Sequence, residues 1–331
     1  MFNKQLQKRI ALATVCLGMC GALFTGCGSS TEQPTKQAAV TWNDNLDGKD
    51  VQGSVTTAPK KAVSLSQATT EMMLTLGLEN QMAGTAFLEE PMYAPLVEQY
   101  KKVPVLSDKW PSYEQFMAVK PDFVTGWGDT FSKRWIPADK ILSQHIPIFV
   151  PDSMQDTDAN LDTLFNDMLK LGEIFGKEEV AQKWVDGQKE KLAAIQKKIG
   201  QQPTKRVLVF DSSNDEPFTV FGGYTENILK LIGAENVMSG QVKGKTWGKA
   251  SWESVIAANP DYIIVVDYDT TELNSDSFEV RVQKIKNNPQ LQSITAVKEN
   301  HFIKVKLSEI TPGVRTVDAL ERLAATIHGA N

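Results

Sequence analysis

Short runs of β-branched and aromatic residues recur along the chain with helical patterns between them. The runs are Ala62-Val63-Ser64-Leu65, Phe123-Val124, Ile146-Pro147-Ile148-Phe149-Val150, Arg206 to Phe210, Tyr262 to Val266 and Phe302 to Val305. Strands alternating with helices predict parallel sheets flanked by helices, an α/β fold. Between the two groups of strands lies a long helical region, 158–175 and 177–199. In its second part Val180, Trp184, Leu192, Ile195 and Ile199 recur at spacings near 3.6, a partly apolar stripe. A helix of about 23 residues would be ~35 Å long at about 1.5 Å per residue. It could run along two lobes and join them stiffly.

Two segments of the first half reappear in the second. Thr70-Glu71-Met72-Met73-Leu74 leads to Glu79-Asn80, and Thr225-Glu226-Asn227-Ile228-Leu229 leads to Glu235-Asn236. Ser112-Tyr113-Glu114 is followed by Pro121-Asp122-Phe123-Val124, and Ser251-Trp252-Glu253 by Pro260-Asp261-Tyr262-Ile263. Each of the latter predicts a helix capped by Ser, with an aromatic residue and a Glu in its first turn, ending before Pro-Asp and a buried strand. Two matches in the same order predict duplicated lobes.

The N-terminus follows a different pattern. Lys4, Lys8 and Arg9 precede an apolar run from Ile10 to Phe24, which ends in Thr25-Gly26-Cys27. This is the pattern of a bacterial lipoprotein signal: basic residues stay in the cytoplasm, the apolar run enters the translocon, and the small residues expose the bond before Cys27, whose thiol takes the lipid. The run is too short to span ~30 Å of hydrocarbon comfortably. The segment after Cys27, Gly28 to Gln37, is too poor in apolar residues to pack and predicts a flexible tether. The expected organisation is therefore a signal over 1–26, a lipidated tether over 27–57, an N-terminal α/β lobe over 58–155, a helical linker over 156–200 and a C-terminal α/β lobe over 201–331.

Cysteine and charge narrow the function. Cys16 and Cys20 lie in the expected signal, so only Cys27 remains after processing and no disulfide framework is expected. The formal net charge is −5, and loss of Lys4, Lys8 and Arg9 makes the mature chain more acidic, a poor candidate for nucleic acid.

The ordered set of Ala62-Val63-Ser64-Leu65-Ser66 before Thr70-Glu71, Glu114 with Pro121-Asp122, the helical linker, Glu253 with Pro260-Asp261, and Pro312-Gly313-Val314-Arg315-Thr316-Val317-Asp318-Ala319-Leu320-Glu321 resembles the periplasmic binding proteins for iron-siderophores, haem and cobalamin, the solute receptors of ABC importers. The resemblance spans about residues 58–328. It implies two Rossmann-like lobes with parallel sheets, joined by one long helix, with the ligand in the cleft between them and small hinge motions. It also implies a monomer that delivers its ligand to a permease dimer with ATPase subunits. One Glu on each lobe of such receptors faces an Arg pocket on each permease subunit, and Glu114 and Glu253 match those positions. Each also complements the positive end of its own helix, an effect of ~0.3–1 kcal/mol. Arg315, in the C-terminal signature, is expected to brace that helix.

Ligands of parallel α/β sheets bind beyond the carboxyl ends of the strands. That rule, with neighbouring aromatic and basic residues, nominates Ser66, Gln67, Trp110, Trp127, Asp129, Arg134 and Trp135 in the first lobe, and Phe221, Tyr224, Trp247 and Tyr268 in the second. Tryptophan in loops favours a large, flat or partly apolar ligand, because stacking gives affinity at little side-chain entropy cost. A metal chelate fits, with a ferric siderophore first and haem or a corrinoid as alternatives; the basic set Lys109, Lys133, Arg134, Lys243 and Lys245 does not separate them. Bare metal capture would need convergent His with carboxylates, and the chain has only His145, His301 and His328. His145 and His301 directly precede apolar runs and have the look of structural residues, while His328 lies near the C-terminus.

An extracytoplasmic hydrolase would need a nucleophile with a base, or an open metal site. The sequence has no Gly-x-Ser-x-Gly, no His-Glu-x-x-His and no phosphate loop. No cofactor is expected. A surface sensor or adhesin would share the fold and the cleft but have no use for the Glu pair.

Overall fold

The computed structural model describes residues 38–211, 216–268 and 276–329. The expected signal and Cys27 lie outside the described residues.

The first described element departs from expectation. Residues assigned to the tether form an antiparallel hairpin, β1 (Val40–Leu46) and β2 (Lys49–Val55), paired from Val40↔Val55 to Leu46↔Lys49. Asp47 and Gly48 make the two-residue turn with φ of +52° and +76°, the left-handed backbone that an Asp-Gly pair accommodates. Trp42, Asp44 and Leu46 point inward at alternate positions. The Trp42 ring packs edge-on against Phe123 and Phe149, and its Nε1 donates to the Ile148 carbonyl at 2.7 Å. Gly53 lies so close over the Trp42 ring that an added Cβ would stand 2.2 Å from it. Burial of a large aromatic side chain therefore fastens a stretch whose composition alone reads as a linker.

The N-terminal sheet is parallel, with order β5-β4-β3-β6-β7. Its chain runs β3 (Ala62–Ser64), α1 (Gln67–Thr75), β4 (Met82–Ala86), α2 (Val97–Tyr100), β5 (Val105–Ser107), α3 (Tyr113–Ala118), β6 (Phe123–Thr125), α4 (Ala138–Leu142) and β7 (Ile148–Phe149). Two helices follow, α5 (Leu161–Phe175), capped by Asn160, and α6 (Glu178–Ile199).

The C-terminal chain runs β8 (Lys205–Phe210), β9 (Phe218–Val220), α7 (Gly223–Lys230), β10 (Ala234–Asn236), β11 (Trp247–Lys249), α8 (Trp252–Ala258), β12 (Tyr262–Val266), α9 (Phe278–Asn287), α10 (Thr295–Lys298), β13 (Phe302–Val305), α11 (Leu307–Ile310) and α12 (Thr316–His328). Its parallel sheet has order β10-β8-β12-β13, and β9 and β11 form a separate antiparallel pair. The orders β4-β3-β6-β7 and β10-β8-β12-β13 are the same topology, as the sequence duplication predicts.

One apolar core runs from Met72 of α1 and Phe123 of β6, through α5 and α6, to Val207 of β8, Ile264 of β12 and Leu323 of α12. Separate clusters lie on the other face of each sheet, one around Phe116 and Phe131, the other around Val255 and Ile285. The buried stripe of α6 differs from the expected one: Ala181, Val185, Ile195 and Ile199 are buried, Trp184 and Leu192 are partly buried, and Val180 is exposed. The shift follows from packing on two sides, with α5 at Gly172, where an added Cβ would stand 2.6 Å from that of Ala181, and with α12. No helix among the described residues is long and apolar enough to cross a membrane.

Candidate functional site

The carboxyl ends of the N-terminal strands surround a cavity of about 690 Å³, lined in part by Phe87 after β4, Trp110 after β5, Trp127 and Asp129 after β6 and Met154 after β7. The hairpin tip, Asp47 and Gly48, closes one side of it. Phe87 and Trp110 stack at 4.2 Å and 16°, Trp110 meets Trp135 at 4.2 Å and 47°, and the Arg134 guanidinium lies 4.9 Å from the Trp135 ring. Trp110 Nε1 donates to the Leu65 carbonyl at 3.3 Å, which fixes the central ring of this row. The row offers a flat, apolar and orientable wall.

Glu89 also lines the cavity. Burial, with the neighbouring Glu90 charge, pushes its carboxyl up to about 7. Its backbone is held by the Gln67 amide, whose Oε1 accepts from the N–H groups of Glu89 at 3.0 Å and Glu90 at 2.9 Å. Gln67 Nε2 donates to Glu71 at 3.0 Å and to the Pro91 carbonyl at 3.3 Å. Arg315, at the start of α12, reaches the same loop: it pairs with both oxygens of Glu71, donates to the Pro91 carbonyl at 2.9 Å and stands 3.5 Å from Glu90. Ser308 donates through its N–H and its hydroxyl to the Glu90 carboxylate. Tyr93 donates to Asp318 of α12, which also pairs with Lys191 of α6. This polar seam ties the N-terminal lobe to the segment 307–318 beside the cavity. Arg315 thus braces the two lobes to each other, where the sequence suggested that it braces its own helix.

From the second lobe, Tyr268 donates to Asp211 Oδ1 at 2.7 Å, with the Arg281 guanidinium 5.5 Å from its ring. Burial, then the charge and hydrogen bond of Asp211, push its phenol upward.

The nominated residues divide accordingly. Trp110, Trp127 and Asp129 line the cavity, Arg134 and Trp135 extend its aromatic row, and Tyr268 is held by Asp211 outside the described lining. Ser66 and Gln67 are buried and already committed: Ser66 caps α1 by accepting from the Thr69 N–H at 3.2 Å, and Gln67 holds the Glu89 loop. Tyr224 is core, its hydroxyl 2.9 Å from that of Thr316, and Phe221 packs in the second-lobe cluster. Trp247 stacks on Phe218 at 6.1 Å and is not part of the cavity lining. These five are engaged elsewhere than at the cavity wall, because a position just past a strand end can equally turn into the core. His328, expected at a loose terminus, is buried, with Nε2 2.8 Å from the Ile232 carbonyl.

Phe87, Glu89 and the hairpin tip were not legible as site residues. Phe87 and Glu89 follow β4, whose Met-Ala-Gly-Thr-Ala lacks the bulky pattern of a strand because Leu106 packs directly on Gly84. The hairpin carried a usable signal, Asp47-Gly48 flanked by alternating apolar residues. Among the described residues no three His, Cys, Asp or Glu side chains are grouped to hold a metal ion.

Glu114 and Glu253 lie outside the cavity, each at the second position of a Ser-capped helix, α3 and α8, and both are exposed. Its own backbone N–H, then the Ser112 hydroxyl, hold the Glu114 carboxyl below the usual range. Trp252 packs on Phe210 at 5.8 Å, a structural role.

Two α/β units with one topology, a joining helix and a cavity at the strand ends agree with a sequence match: the model of the periplasmic binding protein family covers residues 63–307. The chain belongs to the periplasmic binding protein family. A periplasmic binding protein of Veillonella parvula has a crystal structure 63% identical in sequence, with a TM-score of 0.86, covering 88% of this chain and 99% of that one. The ABC transporter substrate-binding lipoprotein YvrC of Bacillus subtilis is 24% identical over 96% of this chain and 95% of its own length. The petrobactin-binding protein YclQ of the same organism is 26% identical over 89% and 88%. Membership makes this chain a non-enzymatic binding protein of transport, of a family that works outside the cytoplasm.

Proposed function

We propose that this binding protein is a monomeric, lipid-anchored receptor of an ABC importer. It captures a metal chelate, a ferric siderophore being the first candidate and haem or a corrinoid the alternatives, and delivers it to a permease dimer with its ATPase subunits. The observation that carries this reading is the stacked row Phe87-Trp110-Trp135 beside a cavity of about 690 Å³, a shape and chemistry suited to a large, flat or partly apolar chelate. The names of relatives support the same class, since they include petrobactin-binding and vitamin B12-binding proteins. The Cys27 signal supports the anchor, and the equivalent placement of Glu114 and Glu253 supports docking on a two-subunit permease.

Because tryptophans line the cavity, their fluorescence reports occupancy. Titration with ferric siderophores, haem and cobalamin is expected to give saturable quenching by at least one class, lost in Trp110→Ala. Silence across all three rejects the reading.

A further inference from the structure

The aromatic wall does not explain the charge of the cavity. Every charged side chain among its described lining residues is a carboxylate: Asp47, Glu89 and Asp129. The guanidinium groups nearby lie outside the described lining. Arg315 is committed to Glu71 and the Pro91 carbonyl, Arg281 donates through Nη1 to the main-chain carbonyls of Asp211 and Val266 while its buried Nη2 has no partner among the described residues, and Arg134 lies over Trp135. The Glu89 carboxylate is different from these. It makes no hydrogen bond or ion pair to any described residue, yet its loop is held on both sides by Gln67 and Arg315. A carboxylate presented on a fixed backbone into a partly dry cavity, with its own acceptor capacity unspent, is preorganised for a donor that the ligand brings.

Resting on the reading of a metal-chelate receptor, we propose that this cavity selects chelates of zero or positive net charge and disfavours polyanionic ones, with Glu89 as the residue that reads the charge. The distinction is chemical. Three hydroxamates balance ferric iron, and a pendant ammonium makes the complex a cation. A corrinoid presents neutral amides, whose N–H groups donate to carboxylates. Three catecholates leave the ferric complex with three negative charges, and haem carries two propionates; both would face Asp47, Glu89 and Asp129 with like charge in a setting where screening is weak. A carboxyl at Glu89 serves the favoured class in either protonation state, as acceptor for an ammonium or amide when ionised and as donor to an amide carbonyl when protonated.

The test uses the whole mature protein at pH 8 and low salt, with four probes: ferrioxamine B as the cation, cyanocobalamin as the neutral corrinoid, ferric enterobactin as the tris-catecholate, and haem. Ferrioxamine B or cyanocobalamin is expected to bind at least about tenfold more tightly than either polyanion, the advantage shrinking as salt is raised. Glu89→Gln keeps the size of the side chain and removes the charge; it is expected to weaken ferrioxamine B at least about threefold relative to ferric enterobactin. Trp110→Ala should weaken all bound probes together, since stacking does not read charge. Tighter binding of ferric enterobactin or haem, or an unchanged ratio in Glu89→Gln, overturns the charge selection and leaves the chelate reading standing. Failure of all four probes overturns both.

Discussion

Arg315 is the side chain on which most of the seam between the lobes depends. It is 8% exposed, and it meets Glu71 through two nitrogens and Pro91 through one. Burial keeps the Glu90 carboxyl above its usual range despite the hydrogen bonds from Ser308 and the Arg315 charge. Removing the guanidinium would strand Glu71 and Glu90 without it, and stranding one member of a buried pair costs about 3–5 kcal/mol. Arg315→Ala is therefore expected to lower the unfolding free energy, measured by urea denaturation, by that amount. Arg315→Lys is expected to recover only part of it, because an ammonium cannot reproduce the planar two-nitrogen contact. The sequence marked Glu71 and Arg315 as members of separate motifs. Their partnership, across 244 positions, exists only in the folded chain.

At the scale of elements, the duplication is visible in backbone detail. Asp122, before β6, accepts from the N–H groups of Lys60 and Lys61 beside β3, and Asp261, before β12, accepts from that of Arg206 in β8. Each Pro-Asp thus pins the start of one central strand to the next, which is why the pair was legible as a repeat. The helices α3 and α8 repeat as well, Ser112 and Ser251 each accepting from the N–H three residues on. Glu114 and Glu253, exposed one position beyond the aromatic residue, contribute little to the core of either lobe. The double substitution Glu114→Ala with Glu253→Ala is expected to abolish uptake by cells while ligand affinity, measured on the purified protein, stays unchanged; normal uptake would remove the docking role. The hairpin was the element least legible in the sequence, because its polar face resembles a linker and its apolar positions acquire meaning only against Phe123 and Phe149.

For the whole molecule, three carboxyls in different regions share a consequence. Burial pushes Asp44 in the hairpin, Glu89 at the cavity and Asp167 in α5 each up to about 7. Between the ordinary values of 3.8 for Asp and 4.5 for Glu and this higher range, the folded chain holds protons that the unfolded chain releases. Stability therefore falls as pH rises through that window. Below it, the carboxyls of Glu79 and Asp267, held down in the folded state, lose their contribution as they protonate. Thermal unfolding is expected to show a higher midpoint near pH 5.5 than at pH 8, with a smaller difference in Asp44→Asn. A midpoint that rises with pH across this range would contradict the assignment.

The sequence by itself determined the α/β class, the duplicated topology, the joining helix, the family and three residues of the cavity wall, Trp110, Trp127 and Asp129. Strand runs, Ser caps, Pro-Asp starts and helical periodicity are local, and local patterns dictate which elements form and in what order. Tertiary structure alone decided which strand-end residues line the cavity and which turn inward, so Trp110 and Trp127 stand at the cavity while Gln67 and Tyr224 do not. It also brought Phe87 and Glu89 to the cavity and set Arg315 across the lobes. These are contacts between distant segments, selected by burial and charge pairing, and no spacing along the chain encodes them.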